Sequence, residues 1–407
     1  MIIINISKLY GIGSGLNMLR GKEMAQVEII ENAWLEIDMG LITGFGEMSQ
    51  PTENSHNQII DAQGQIILPS FIDCHTHTVF AQPRDEEFVD RIKGLSYEEI
   101  ANNGGGILNS ARTLGKMSED ELFQDAQSRV EMIMKNGTGA LEIKSGYGLD
   151  LENELKMLRV IKRLRESNPI PIKSTFLGAH ALPPEFKNNK TGYVDKVVNE
   201  MIPVIAREGL AEYIDVFCEQ GYFDLEDTRR IVEKGNELGL KSRLHVNQFN
   251  SFGAIQLSKQ LGVLSVEHLE VLTQEDLETL KDSELIPVSL PACSFFLSIP
   301  YTPAREIIDA DLPVVLASDF NPGSSPISDL HFVMSLASIK QNLLPEESLN
   351  ALTVNAAHAL EIEKDYGSIA IGKVANLNFY DLTSLSEIPY YPAAKLLNKV
   401  MINGQFI

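Results

Sequence analysis

Ile67-Leu68-Pro69-Ser70-Phe71-Ile72-Asp73-Cys74-His75-Thr76-His77 is a short apolar run that ends in an acid and two histidines. A run of this length and composition reads as a buried β-strand. In extended chain, residues i and i+2 face the same side, so His75 and His77 can offer two imidazole nitrogens to one point. Downstream, similar runs recur at 138–143, 172–177, 213–217, 242–246, 264–268, 286–290 and 314–317, with the first counted as 67–73. Longer amphipathic stretches separate them, which is the alternation expected of βα units around a parallel sheet. Eight such units over about 250 residues match the extent of a (β/α)8 TIM-like barrel. A doubly wound sheet is the rival, but no glycine-rich phosphate loop follows the first strand. Gly11-x-Gly13-x-Gly15 lies ahead of it and reads as turn glycines.

The two ends of the chain have a different rhythm. Trp34-Leu35-Glu36-Ile37 and Leu41-Ile42-Thr43-Gly44 near the start, and Asn376-Leu377-Asn378-Phe379-Tyr380 near the end, show period-two patterning between glycines. They read as a small antiparallel β unit, which divides the α/β chain into 1–66, a barrel over 67–362, and 363–407. The first βα connection, roughly 78–137, is long for this fold. It is expected to carry its own helices, one starting near Ser96 with Glu98 and Glu99 in its first turn, and to act as a lid or specificity loop.

Composition narrows the function. The 407 residues carry 34 Lys plus Arg against 56 Asp plus Glu, a formal net charge of −22. That surface repels phosphate backbones and anionic lipid, which argues against nucleic-acid and membrane partners. A small anionic substrate would need local cations to offset the field. The three cysteines (Cys74, Cys218, Cys293) are far apart and odd in number, which fits a reducing, cytoplasmic compartment. Ile2-Ile3-Ile4-Asn5-Ile6 is too short for a signal peptide, and no run approaches the roughly 18 apolar residues of a membrane span.

The metal-capable side chains recur at strand ends. The fifth run reaches His245, the sixth Glu267-His268, and the eighth leads into Ser318-Asp319. Active sites of this fold lie at the C-terminal ends of the strands. His75, His77, His245 and Asp319 would therefore converge there as three nitrogens and one carboxylate. That set suits one divalent ion, zinc or iron, with a position open for water. His56, His331 and His358 lack partners at strand ends and are left structural.

Taken together, these residues resemble the amidohydrolase superfamily and, within it, the imidazolonepropionase family. The matching stretches are His75-Thr76-His77 with Arg84, Tyr97-Glu98-Glu99-Ile100 leading to Gly104-Gly105-Gly106-Ile107, Lys144-Ser145-Gly146-Tyr147-Gly148-Leu149, Gly178-Ala179-His180-Ala181-Leu182-Pro183 and Asp319-Phe320-Asn321-Pro322-Gly323-Ser324. The resemblance implies that the terminal segments form a composite β-sandwich. It also implies hydrolytic ring opening of 4-imidazolone-5-propanoate to N-formimidoyl-L-glutamate in histidine degradation. The alternative is another cyclic-amide hydrolase, or a deaminase of purine or pyrimidine rings.

On this reading Asp319 moves the proton of the attacking water, and His268 donates to the oxyanion or orients the nucleophile. A fully ligated His268 would imply a second metal. Against a bridged metal pair, the fourth strand runs into Cys218-Glu219 with no lysine; Lys144 follows the second strand, as an ion-pairing residue or a substrate contact. Arg84, Tyr147, His180, Gln248, Asn321, Gly323 and Ser324 are the expected substrate contacts, with Arg84 gripping a carboxylate or ring carbonyl in bidentate fashion. The turn from Asn321 to Ser325 offers successive N–H groups as an anion nest. Gln248 stands where some relatives carry Glu; an amide binds but is no general base. A homodimer is the default assembly for a soluble enzyme.

Overall fold

The computed structural model describes residues 1–50, 58–95, 99–100, 105–392 and 394–407. Eight parallel strands follow one another in chain order: Phe71–Asp73, Thr138–Lys144, Ile172–Ala179, Tyr213–Cys218, Lys241–Val246, Ser265–His268, Ile286–Ser289 and Val315–Leu316. The first and last meet where Thr76 bridges Phe320 and the His77 N–H donates to the Phe320 carbonyl at 2.8 Å. The sheet is therefore a barrel. Its strands are buried almost throughout, as expected of parallel strands covered on both faces.

The run expected as one strand at 67–73 is two. Ile66–Pro69 pairs with Ile2–Ile12 and with Leu377–Tyr380, whereas Phe71–Asp73 pairs with Thr138–Lys144 in the barrel. Pro69 has no N–H to donate, and the Ser70 N–H turns to the Asn376 carbonyl at 2.9 Å. The ladder passes from one sheet to the other at this point.

The terminal segments form one sheet in the order Gln405–Phe406, Leu397–Ile402, Leu377–Tyr380, Ile66–Pro69, Ile2–Ile12, Glu28–Asp38, Leu41–Glu47, with Ile59–Asp61 also on Ile2–Ile12. Alternate residues of both ends, such as Ile3, Leu35, Leu377 and Met401, share a core separate from the barrel's. The long first connection carries helices Asp85–Ile92, Ile107–Lys116 and Glu119–Lys135. The last begins at a capping box, in which Ser118 Oγ accepts from the Glu121 N–H and Glu121 accepts from the Ser118 N–H. The start expected at Ser96, with Glu98, lies outside the described residues. Among the described residues no helix is long and apolar enough to cross a membrane.

Candidate active site

His75, His77, His245, His268 and Asp319 come together at the C-terminal mouth of the barrel. The His75 and His245 rings lie 4.6 Å apart, and the His245 and His268 rings 5.2 Å apart. Nε2 of His75 and Nε2 of His77 sit 3.4 and 3.5 Å from the same Asp319 Oδ1. Those separations are long for hydrogen bonds, and His75 Nε2 is buried without a hydrogen-bond partner. They match the edge of a tetrahedron whose ligands lie about 2.1 Å from a central ion, about 3.4 Å. The donor set thus fits a divalent metal. Asp319 adopts φ 53° and His268 φ 88°, a left-handed backbone that L residues avoid and that clusters at functional sites. The Asp319 N–H donates to the His75 carbonyl at 3.0 Å, and Thr302 Oγ1 donates to the His268 carbonyl at 2.6 Å, which holds both in place.

Beneath the imidazoles lies a buried charge cluster. His245 Nδ1 faces Asp215 Oδ2 at 2.8 Å, and His75 Nδ1 contacts Glu267 Oε2. Lys144 Nζ reaches Asp215 Oδ2 at 2.9 Å, Glu267 Oε2 at 3.0 Å and Glu142 Oε1 at 3.1 Å. Arg243 adds a second cation, with Nη2 2.6 Å from Glu267 Oε1. With His75 neutral, as a metal ligand is, three carboxylates against two cations leave one negative charge under the site, which favours a dication above it. Lys144 is therefore ion-paired and tucked under the metal-side histidines.

Burial pushes the His245 pKa down to about 4 against the pull of Asp215. The neutral ring donates from Nδ1 and leaves Nε2 for the mouth. For His75, burial and Lys144 act downward, but Glu267 and Asp319 outweigh them and raise it to about 9. For Asp319, burial acts upward, but contact with His75 and the nearby imidazoles holds its carboxyl below the usual range.

The mouth opens into a pocket lined by His77, Arg84, Tyr147, His180, Gln248, His268, Asp319, Asn321 and Ser324. Arg84 is only 6% exposed, so it is a pocket residue and not a solvated surface arginine. Gly323 lies behind it: a Cβ there would stand 1.3 Å from Arg84 Nη2. Buried Glu154 shapes the loop that carries Tyr147 by accepting the Gly146, Gly148 and Leu149 N–H groups at 3.1, 2.8 and 2.9 Å. Gly146 has φ 111°, and a side chain there would crowd His180 Nδ1 and the Leu177 carbonyl, each 2.9 Å away. Burial, together with His245, lowers the His180 pKa to about 3. Its Nδ1 lies 3.0 Å from the Gly146 carbonyl, so that nitrogen carries the proton and Nε2 is an acceptor.

The anion nest expected at 321–325 does not form. Asn321 Oδ1 accepts the Gly323 and Ser324 N–H groups at 2.8 and 2.7 Å, so the turn's donors are satisfied internally. His331 and His358 lie elsewhere, bonded to the Tyr380 hydroxyl and the Gly15 carbonyl, and His56 is outside the described residues.

Comparison with known proteins places this geometry in a lineage. Residues 225–407 match the family model described as amidohydrolase family. Over its full length the chain is 51% identical to an imidazolonepropionase of Christiangramia forsetii, covering 100% of both chains. It is also 51% identical to an imidazolonepropionase of Flavobacterium johnsoniae, covering 100% of this chain and 99% of that one. The chain belongs to the imidazolonepropionase family. A guanine deaminase of E. coli superposes with a TM-score of 0.75 at 12% identity, covering 100% of this chain and 99% of that one, a likeness of fold alone.

For this imidazolonepropionase-family chain, sequence reasoning missed Glu142, Asp215 and Glu270. His268 Nδ1 lies 3.2 Å from Glu270 Oε1. A signal existed: Leu141-Glu142-Ile143 and Ile214-Asp215-Val216 each set an acid inside an apolar strand, where a charge needs a partner.

Proposed function

We propose that the chain is a metal-dependent hydrolase that opens the ring of 4-imidazolone-5-propanoate to N-formimidoyl-L-glutamate. The observation that carries this reading is the convergence of His75, His77, His245 and Asp319 in a chain 51% identical throughout to imidazolonepropionases. The four residues would hold one zinc or iron ion, whose chemistry is to lower the pKa of water from 15.7 to about 7. Asp319 accepts the water's proton and later delivers it to the departing ring nitrogen. His268 is oriented by Glu270 at Nδ1, which leaves Nε2 as an acceptor that can orient the attacking water. His180, an acceptor at Nε2, suits a ring N–H of the substrate. Tyr147 and Gln248 add directed hydrogen bonds from the walls, and Asn321, Gly323 and Ser324 form the turn that backs Arg84.

Arg84 is the cation that holds the anionic substrate inside an acidic protein. Arg84→Lys is expected to raise KM by about tenfold or more, the loss of one charge-assisted contact, while metal content stays the same. An unchanged KM would remove Arg84 from substrate binding. Gly323→Ala is expected to act the same way, because the added Cβ displaces the guanidinium. A structure of that variant with Arg84 unmoved would refute this account.

Purified protein supplied with Zn²⁺ or Fe²⁺ should consume 4-imidazolone-5-propanoate and release N-formimidoyl-glutamate without ammonia. Ammonia release would mark a deaminase, and no turnover by metal-replete protein would end the proposal. The described cysteines are free and buried, which supports a reducing, cytoplasmic setting. A homodimer is the assembly we propose, to be read by sedimentation equilibrium.

A further inference from the structure

Arginine is a long side chain, and its rotamer freedom must be removed before it can grip an anion in one geometry. The backbone of Arg84 is fixed first. It stands at the start of helix Asp85–Ile92, and its N–H donates to the Pro322 carbonyl at 3.0 Å. At the far end of that helix Arg91 Nη2 donates to the Gly323 carbonyl at 3.1 Å, so the helix is pinned twice to the turn that backs Arg84. The guanidinium is met by Glu87, one turn along the same helix. Arg84 Nε lies 3.6 Å from Glu87 Oε2, and the two side chains are 4% and 14% exposed. The second carboxylate oxygen is anchored elsewhere. Glu87 Oε1 accepts the Gly106 N–H at 2.9 Å and Asn109 Nδ2 at 3.4 Å. Gly106 precedes helix Ile107–Lys116, whose first residue lines the pocket.

We propose that Glu87 is a positioning residue for substrate binding: tied to Gly106 through Oε1, it aims the Arg84 guanidinium through Oε2 at the substrate's anionic group. This builds on Arg84 as the cation that holds the substrate. A carboxylate suits the bridge because both of its oxygens accept. Glutamine has one acceptor oxygen; when that oxygen serves Gly106, the NH₂ group is turned on the guanidinium, donor against donor. Glu87 also has an opposing effect, since its charge offsets part of the field that Arg84 presents to an anion. The two effects change KM in opposite directions. Aim prevails, because a charge-assisted fork binds through direction as well as charge.

The test uses the full chain supplied with Zn²⁺. Glu87→Gln and Glu87→Ala should each raise KM for 4-imidazolone-5-propanoate about fivefold or more, with kcat within about twofold of wild type. Unchanged metal content reports that each variant is folded. In an Arg84→Lys background the same substitutions should add less than about twofold, because Glu87 acts through the guanidinium. A second arm needs no turnover. Imidazole-4-propanoate has the ring and the tail but no ring carbonyl to attack, and calorimetry should show it binding about fivefold more weakly to the Glu87 variants. Absence of wild-type turnover would sink the reaction assigned above, while this binding arm still tests Glu87. A KM or Kd that stays the same or falls, or that rises by the same factor with Arg84 and with its lysine replacement, would overturn the proposal. So would loss of metal from both variants, which would make Glu87 a residue of the fold, or a wild type that neither turns over the one compound nor binds the other.

Discussion

His75→Ala loses its metal and its turnover together. The prediction follows from the double engagement of that ring: Nδ1 contacts Glu267, and Nε2 points to the spot shared with His77 and Asp319. Losing a group that merely supports a ligand costs about 10–100-fold in metal affinity or activity. Losing the ligand itself should exceed that, so turnover should fall by more than about 100-fold. Alanine also leaves Glu267 without its imidazole while Lys144 and Arg243 still neutralise it, so the fold should survive. Elemental analysis and the substrate assay on the same sample are the measurement. Wild-type metal content in the variant would mean that His75 is no ligand.

Lys144→Met should be the most destabilising single change in the barrel. Its ammonium is the cation that Asp215, Glu142 and Glu267 share, and no solvent reaches any of them. Removing one partner of a buried pair costs about 3–5 kcal/mol. The metal should also bind about 10–100-fold more weakly, because Asp215 and Glu267 orient His245 and His75. A second variant separates the two effects. Glu142 bonds to Thr76 and Thr175 and touches neither imidazole in the contacts described. Adding Glu142→Gln to Lys144→Met should therefore restore part of the stability while metal affinity stays low. Urea unfolding and zinc titration read the two quantities. A Lys144→Met protein with wild-type metal affinity would show that the cluster does not align the histidines.

Much of this site could be read along the chain because each ligand closes a strand. Parallel barrel strands are near-continuous apolar runs, so a histidine or acid at the end of one stands out, as His75, His245 and Asp319 do. The support beneath them was harder to see. Glu142 and Lys144 come from the second strand, Asp215 from the fourth, Arg243 from the fifth and Glu267 from the sixth, and only closure of the barrel brings them together. Their identities announced buried charge but not its pairing. The turn at 321–325 failed for a local reason. The same Asn321 that suggests an anion nest can satisfy the turn with its own side chain, and sequence alone does not choose between the two. The break at Pro69 was legible in principle, because a residue without an N–H marks the place where a ladder can change partners.

That change of partners ties catalysis to the tail of the polypeptide. Leu377–Tyr380 completes its sheet against Ile66–Pro69, which sits just upstream of the strand bearing His75 and His77. During synthesis the segment leading into the metal-binding histidines must wait, half-paired, until nearly the whole chain has emerged. Such long-range closure is slow. Newly made molecules should therefore acquire metal late, and clipping the last strands should loosen an active centre they never touch.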